Sequence, residues 1–226
     1  MIRARFFARL RSNISGTALL EFALAMPVVL ALGVCGMETA NLAMANMRVS
    51  QVALNLADNV SRIGQDSSLS LKQLREVDIN NSFAAAVIQG GNYDVTTHGR
   101  IILSSLENDT TNGDWIHWQR CKGLLNKTST YGNAGDGAGA ATFAGMGETG
   151  AKILPPANGA VMFVEIFYDY QPIFGSTMLA FFKSALQGPI QIHYKAAYTV
   201  RDSRDLSQVF NPAPAATTSL CTTFSA

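Results

Sequence analysis

Glu21 is the residue whose chemistry most needs an explanation. From Thr17 to Gly36 it is the one charge in a run of apolar and small residues, TALLEFALAMPVVLALGVCG, and a charged side chain near the centre of a bilayer costs roughly 2.5–3.5 kcal/mol. Such a group is paired or functional, unless it sits shallow enough to be solvated among headgroups. Gly16 stands five residues ahead of it, with only Thr17, Ala18, Leu19 and Leu20 between. The cysteines follow a different logic. Cys35 falls inside the apolar run, which leaves Cys121 and Cys221 as an even pair suited to a disulfide in an oxidising compartment, two unpaired small hydrophobes being the other reading. No CxxC or HxxxH accompanies them, so no metal site is expected. His98, His117 and His193 lie on separate predicted strands without paired spacing and read as isolated side chains. With no GxSxG, HExxH, GxGxxG or Walker sequence present, neither an enzyme such as an anchored hydrolase nor a cofactor or small-molecule substrate is expected.

The element that must position Glu21 is a helix, since an apolar run of ~20 residues suffices to cross a bilayer core. Arg3, Arg5, Arg9 and Arg11 precede it without an acid among the first sixteen residues, and no basic residue follows within ten positions of its end. The positive-inside rule then puts the N-terminus in the cytoplasm and the remainder across the membrane. A cleaved secretory signal competes, with Ala23-Leu24-Ala25 as a formal exit, but its apolar core is usually ~7–15 residues, shorter than this run. Pro27 removes one backbone hydrogen bond mid-segment and tends to kink a helix. Gly33 and Gly36, with Ala25, Ala31 and Ala40, form a small-residue stripe suited to close helix packing.

Past Glu38 the period stays helical. Leu42, Val49, Leu56 and Ile63 recur every seven residues, with Val52 and Val60 beside them, while Asn41, Arg48, Asn55, Asp58, Asn59 and Arg62 take other faces. One helix is therefore expected from Thr17 to Ile63, capped by Ser12 or Ser15 and stopping at Gly64. At 1.5 Å per residue it spans roughly 70 Å, so its second half projects beyond the membrane.

A net charge of +1 on 226 residues, with no basic cluster outside the leader, gives no case for nucleic acid. Charged residues make up 15% where ~25% is usual, and 48% hydrophobic is ordinary for a folded domain. After a polar break at Gln65 to Leu69, a second helix is expected from Ser70 to Gln89, ended by Gly90-Gly91-Asn92. Tyr93 to Thr97 and Gly99 to Leu106 read as a strand pair, Asn108 to Asp114 as a turn, and Trp115 to Lys122 as a further strand. The glycine-rich stretch at 128–150 reads as a flexible surface loop; its acids Asp136 and Glu148 do not fit a calcium loop. Ala160 to Tyr170 and Ile190 to Arg201 are the clearest strands, the first with Glu165 and Asp169 on one face. Between them lies an apolar crossover with Phe174, Phe181 and Phe182, buried in the head or touching the membrane surface. The tail after Phe210 reads as irregular, pinned if Cys221 finds Cys121.

Taken as a set, Gly16, the Glu21-Phe22 pair, Ala23-Leu24, Pro27, Glu38 at the end of the apolar run and the alanine-dotted tail to about Arg62 resemble the TadE-like family of tight-adherence (Tad/Flp) pilus assembly proteins, which are pilin-like minor subunits. The resemblance covers residues 11–63. It implies that a prepilin peptidase cuts between Gly16 and Thr17, where a glycine lets the backbone lie extended in a narrow site. Glu21 would then be the fifth residue of the mature chain, placed to meet the new terminal amine of a neighbouring subunit. Phe22 stands where related minor pilins often carry tyrosine.

The expected fold is α+β: a cytoplasmic leader at 1–16, a transmembrane segment at 17–37, a periplasmic extension of the same helix at 38–64, and a head at 65–226 with a mainly antiparallel sheet. The expected function is a minor-pilin or pseudopilin role in Tad pilus assembly at a bacterial inner membrane, with the prepilin peptidase and other TadE/TadF-like or pilin subunits as partners through helix packing. The competing reading is a membrane-tethered periplasmic binding or sensor domain with no pilus role.

Overall fold

In the computed structural model, which describes residues 16–64, 71–140, 142–174, 190–201 and 203–226, the apolar run and the alanine-dotted segment behind it form one helix, α1 (Thr17–Arg62), unbroken through Pro27. The arginine leader with Ser12 and Ser15, the polar break with Ser70, and the crossover carrying Phe181 and Phe182 lie outside the described residues. Gly16 occupies the N-cap, with no side-chain cap. At the other end Arg62 pairs with Asp58 at 2.7 Å, and the Arg204 guanidinium donates to the carbonyls of Val60, at 2.8 Å, and Ile63. A cation on the last carbonyls complements the helix dipole. Gly64 then passes so near Lys72 that a Cβ there would lie 2.9 Å from the Lys72 Cβ, so the stop is a matter of close approach.

The two halves of α1 live in different surroundings. The first meets almost nothing else in the chain: Leu19 is 76% exposed and Leu32 68%. It makes α1 a helix long and apolar enough to cross a membrane, consistent with single-pass anchoring. The second half buries Ala45, Val49, Val52, Leu56 and Val60 in steps of three and four, the stripe a helix presents to a core. Ala53 and Ala57 fill in between them. Asn41, expected on an outer face, is instead buried with this stripe.

The stripe lies on a four-stranded antiparallel sheet, so the chain is α+β. In the order β2-β1-β3-β4 it comprises β1 (Gly99–Asp109), β2 (Gly113–Lys122), β3 (Ala160–Asp169) and β4 (Gln191–Thr199). Met162, Val164, Ile166 and Tyr168 of β3, with Ile192 and Ala196 of β4, close the core under α1. A second helix, α2 (Glu76–Gly90), adds Ile79, Phe83 and Ala86 beside it.

Two local expectations are corrected. Helix α2 begins at Glu76, six residues later than Ser70, because the chain before it is paired elsewhere: Lys72 and Arg75 bridge Arg204 and Phe210, and the Phe210 N–H donates to the Leu74 carbonyl at 2.9 Å. Asp78 then closes a capping box with Arg75. Tyr93 to Thr97 is not a strand either. A 3-10 turn at Gly91–Tyr93 is followed by Asp94 in the left-handed region, φ 50°, which reverses the chain and presses Val95 against Gly90, where a Cβ would lie 2.8 Å from Val95 Cγ2. Strand β1 runs on to Asp109, past the expected end at Leu106, before a short turn into β2.

Leu56 is 2% exposed in the core while Ile88 on α2 is 80% exposed. Leu56→Ala should lower unfolding free energy by about 2–5 kcal/mol, and Ile88→Ala should change it by less than about 0.5 kcal/mol. Denaturant titration of the detergent-solubilised chain measures both.

Candidate functional site

The place where α1 leaves the head is built from four polar side chains. Glu38 closes the apolar run, and its carboxylate accepts a hydrogen bond from the Tyr170 hydroxyl, just past the end of β3. Asn41, one turn further along α1, donates its amide to the same hydroxyl oxygen at 2.6 Å, and Tyr93 donates to the Asn41 carbonyl oxygen at 3.4 Å. The backbone N–H of Phe174 reaches the other Glu38 oxygen at 3.5 Å. Burial, and then the bond to Glu38, push the Tyr170 hydroxyl well above the ordinary phenol value, so it remains a proton donor. The knot fixes the angle at which the exposed half of α1 leaves the head.

Below it, Glu21, Phe22 and Pro27 are all exposed on the apolar half. Glu21 has no hydrogen-bond or ion-pair partner among the described residues. Pro27 leaves the Ala23 carbonyl without its helical donor. Gly16 and Thr17 sit at the very start of α1. The expected site residues thus divide: Gly16 to Pro27 form one exposed end of the helix, while Glu38 is about three turns beyond Pro27 and belongs to the head's edge.

The second face of the sheet corrects the expectation of a flexible glycine-rich loop. Tyr131, Phe143 and Met146 of that loop, with Ile153, pack on Leu106, Ile116, Val161 and Phe163, and Met146 is fully buried. Gly145 holds the loop down at φ 79°, where a Cβ would lie 2.4 Å from the Ile153 carbonyl oxygen. Beneath the loop Glu165, 0% exposed, accepts from the Ser129 hydroxyl, the Thr130 N–H at 3.2 Å and His193 Nε2 at 3.1 Å. Strand alternation puts Glu165 and Asp169 on one face but does not name what covers that face.

His117 and His193 are likewise not isolated. His193 stacks on Phe167 with ring centres 4.2 Å apart, and His117 Nδ1 lies 2.8 Å from the buried Glu107. Neither pair could be read from spacing, because the partners meet through strand register or a shared face. Ser105 also donates to Glu107, so a carboxylate stands between hydroxyl and imidazole. A nucleophile–base relay needs the imidazole in the middle.

Cys121 and Cys221 form a disulfide that fastens the irregular tail over β2. Buried Arg100 reinforces it by donating to the carbonyls of Gly123 at 2.7 Å, Cys221 at 2.7 Å and Thr223 at 2.9 Å, with its guanidinium 4.3 Å from the centre of the Phe224 ring. No composition signal marked Arg100 as a structural clamp. Cys35 is a free thiol.

Tyr170→Phe removes the donor that Glu38 uses and the acceptor that Asn41 uses, and should cost about 1–3 kcal/mol in denaturant titration while leaving the sheet intact by circular dichroism. The hydrogen bond to Glu107 raises the His117 pKa above its ordinary value of 6.5, so the charged ring is favoured in the folded state. The stabilisation this provides is complete below pH ~6.5 and is lost as pH rises through the higher folded value. An NMR titration should place the His117 midpoint above 6.5, and Glu107→Gln should bring it down.

No protein-family model, curated protein or solved structure matches this chain.

Proposed function

We propose that this chain is a membrane-anchored, pilin-like minor subunit that helps assemble a Tad (Flp-type) pilus, through α1 and without catalytic chemistry of its own. The observation that carries the reading is that α1 sends an uncovered apolar stretch away from the head, with a lone Glu21 five residues past Gly16 that has no partner among the described residues. A simple tether has no use for an intramembrane carboxylate, which costs free energy until it meets a cation. Cutting after Gly16 creates such a cation, the Thr17 amine, four residues from Glu21. In an assembly, that amine can meet the Glu21 carboxylate of a neighbouring subunit and neutralise it within the membrane. The head, held across the membrane from the leader, is then carried at a fixed angle by the Glu38–Tyr170–Asn41 knot.

N-terminal sequencing of protein extracted from native membranes should begin at Thr17. An intact Met1, or a start near Met26, returns the chain to a tethered binding domain or a secreted one. Glu21→Ala should abolish or sharply reduce pilus formation while the protein still accumulates in the membrane, and a wild-type pilus count in that variant counts against the assembly role.

A further inference from the structure

The two ends of the sheet stand at different levels along α1. Strand β3 runs from Ala160 to Asp169 toward the place where α1 leaves the head, since Tyr170, the next residue, holds Glu38 and Asn41. At the opposite end Arg204, just past β4, holds the carbonyls of Val60 and Ile63. The strands therefore run alongside the upper half of α1, with the turn after β3 nearest the apolar run and the turn between β1 and β2 farthest from it. Those two turns differ in kind. The far one reads Asp109-Thr110-Thr111-Asn112-Gly113, the polar residues that such turns favour. The near one reads Gln171-Pro172-Ile173-Phe174, with Ile173 61% exposed and Phe174 half-buried.

A single exposed isoleucine is ordinary on a protein surface. What sets this one apart is its level. The apolar run from Thr17 to Gly36 is roughly 30 Å long as a helix, the thickness of a bilayer's hydrocarbon core, so Glu38 stands where the headgroups begin. Side chains on a helix lean toward its N-terminus, here toward the bilayer, and the Glu38 carboxylate accepts from the Phe174 N–H at 3.5 Å. Ile173 and Phe174 are thus brought to the headgroup layer, which is about 5–7 Å deep on each side. Tyr170 and Tyr93 reach α1 within one turn of the same level, where amphipathic rings are favoured. The contact is apolar in character. From Tyr168 to Phe174 the one charge is the acid Asp169, which accepts from the Gln191 amide at 2.6 Å, so this end offers nothing that would select an anionic surface.

We propose that the turn after β3 is a second contact between the head and the bilayer, with Ile173 and Phe174 inserted among the headgroups of neutral and anionic lipid alike. The proposal deepens the anchoring reading and rests on α1 spanning the membrane, not on any pilus role. Its effect is mechanical: with α1 as one attachment and this turn as another beside it, the head stands in one orientation over the membrane and does not turn about the helix axis.

Spin labels on the full chain test it in a Cys35→Ser background, with Cys121 and Cys221 occupied by their disulfide. Ile173→Cys is compared in phosphatidylcholine vesicles with Leu32→Cys, inside the apolar run, and with Leu54→Cys, 38% exposed and roughly 24 Å beyond Glu38 along α1. The ratio of accessibility to oxygen over accessibility to a water-soluble nickel chelate should be at least about threefold higher at Ile173 than at Leu54. That ratio should not change when phosphatidylglycerol replaces part of the lipid. In the unsubstituted chain, a phosphatidylcholine with a photoactivatable group beside its headgroup should attach at Pro172, Ile173 or Phe174 and not at Leu54. A water-like ratio at Ile173, shielding there from both reagents, which marks cover by protein, or contact only when phosphatidylglycerol is present would each overturn the proposal, while a lipid-like ratio at Leu32 keeps the span. A water-like ratio at Leu32 would remove the span and the proposal together.

Discussion

One hydroxyl group governs how this molecule is put together. Tyr170 lies at the end of the most deeply buried strand and holds Glu38 and Asn41, one turn apart on α1. At that level the helix stops being exposed on every side and starts to be a core element. A 46-residue helix cannot hold a fixed direction by propensity alone; most of its stability comes from packing one face. That packing ends at Asn41. The polar lock there gives the helix a further fixed point at the edge of the packed stripe. Phenol, carboxamide and carboxylate together satisfy each other at a position too wet for an apolar contact and too buried for free water.

The sheet repeats the same economy. Strand β3 is antiparallel to both neighbours yet buried on both faces, because α1 covers one and the glycine-rich loop with the tail covers the other. Antiparallel sheets commonly leave one face to solvent. Covering both faces puts carboxylates inside, and each is met by hydrogen-bond donors: Glu165 by Ser129, Thr130 and His193, Glu107 by Ser105 and His117, Glu76 by Arg120. An unpaired buried charge would cost far more than the loop's own contacts return. The disulfide and Arg100 hold the tail down over β2 for the same purpose.

What was legible in the sequence were the features set by local period. The course of α1 from Thr17 to its stop beside Gly64 followed from hydropathy and a seven-residue recurrence, and the strands from Gly99, Ala160 and Ile190 from alternation and aromatic content. Features set by distant partners were not. Asn41 looked like an outward polar residue because nothing nearby announces Tyr170, 129 positions on. Residues 71 to 75 were read as helix because their pairing with the chain near Phe210 is non-local. The glycine-rich loop looked free because glycine content reports conformational range and not whether Met146 finds a core.

Glu21 and Glu38 make the division of labour on α1 plain. Both are acids on one helix about five turns apart, at opposite ends of the same apolar run. Glu38 has its partners within the chain, the Tyr170 hydroxyl and the Phe174 backbone amide: neutral donors that hold a carboxylate in place without adding charge. Glu21 has none among the described residues, and the helix carries it some 25 Å away from Glu38. Under the assembly role proposed above, the Glu21 carboxylate is completed by a group on another molecule, in contrast to Glu165, Glu107, Glu76 and Glu38, which are met within the chain. In an apolar medium only a cation makes that contact favourable.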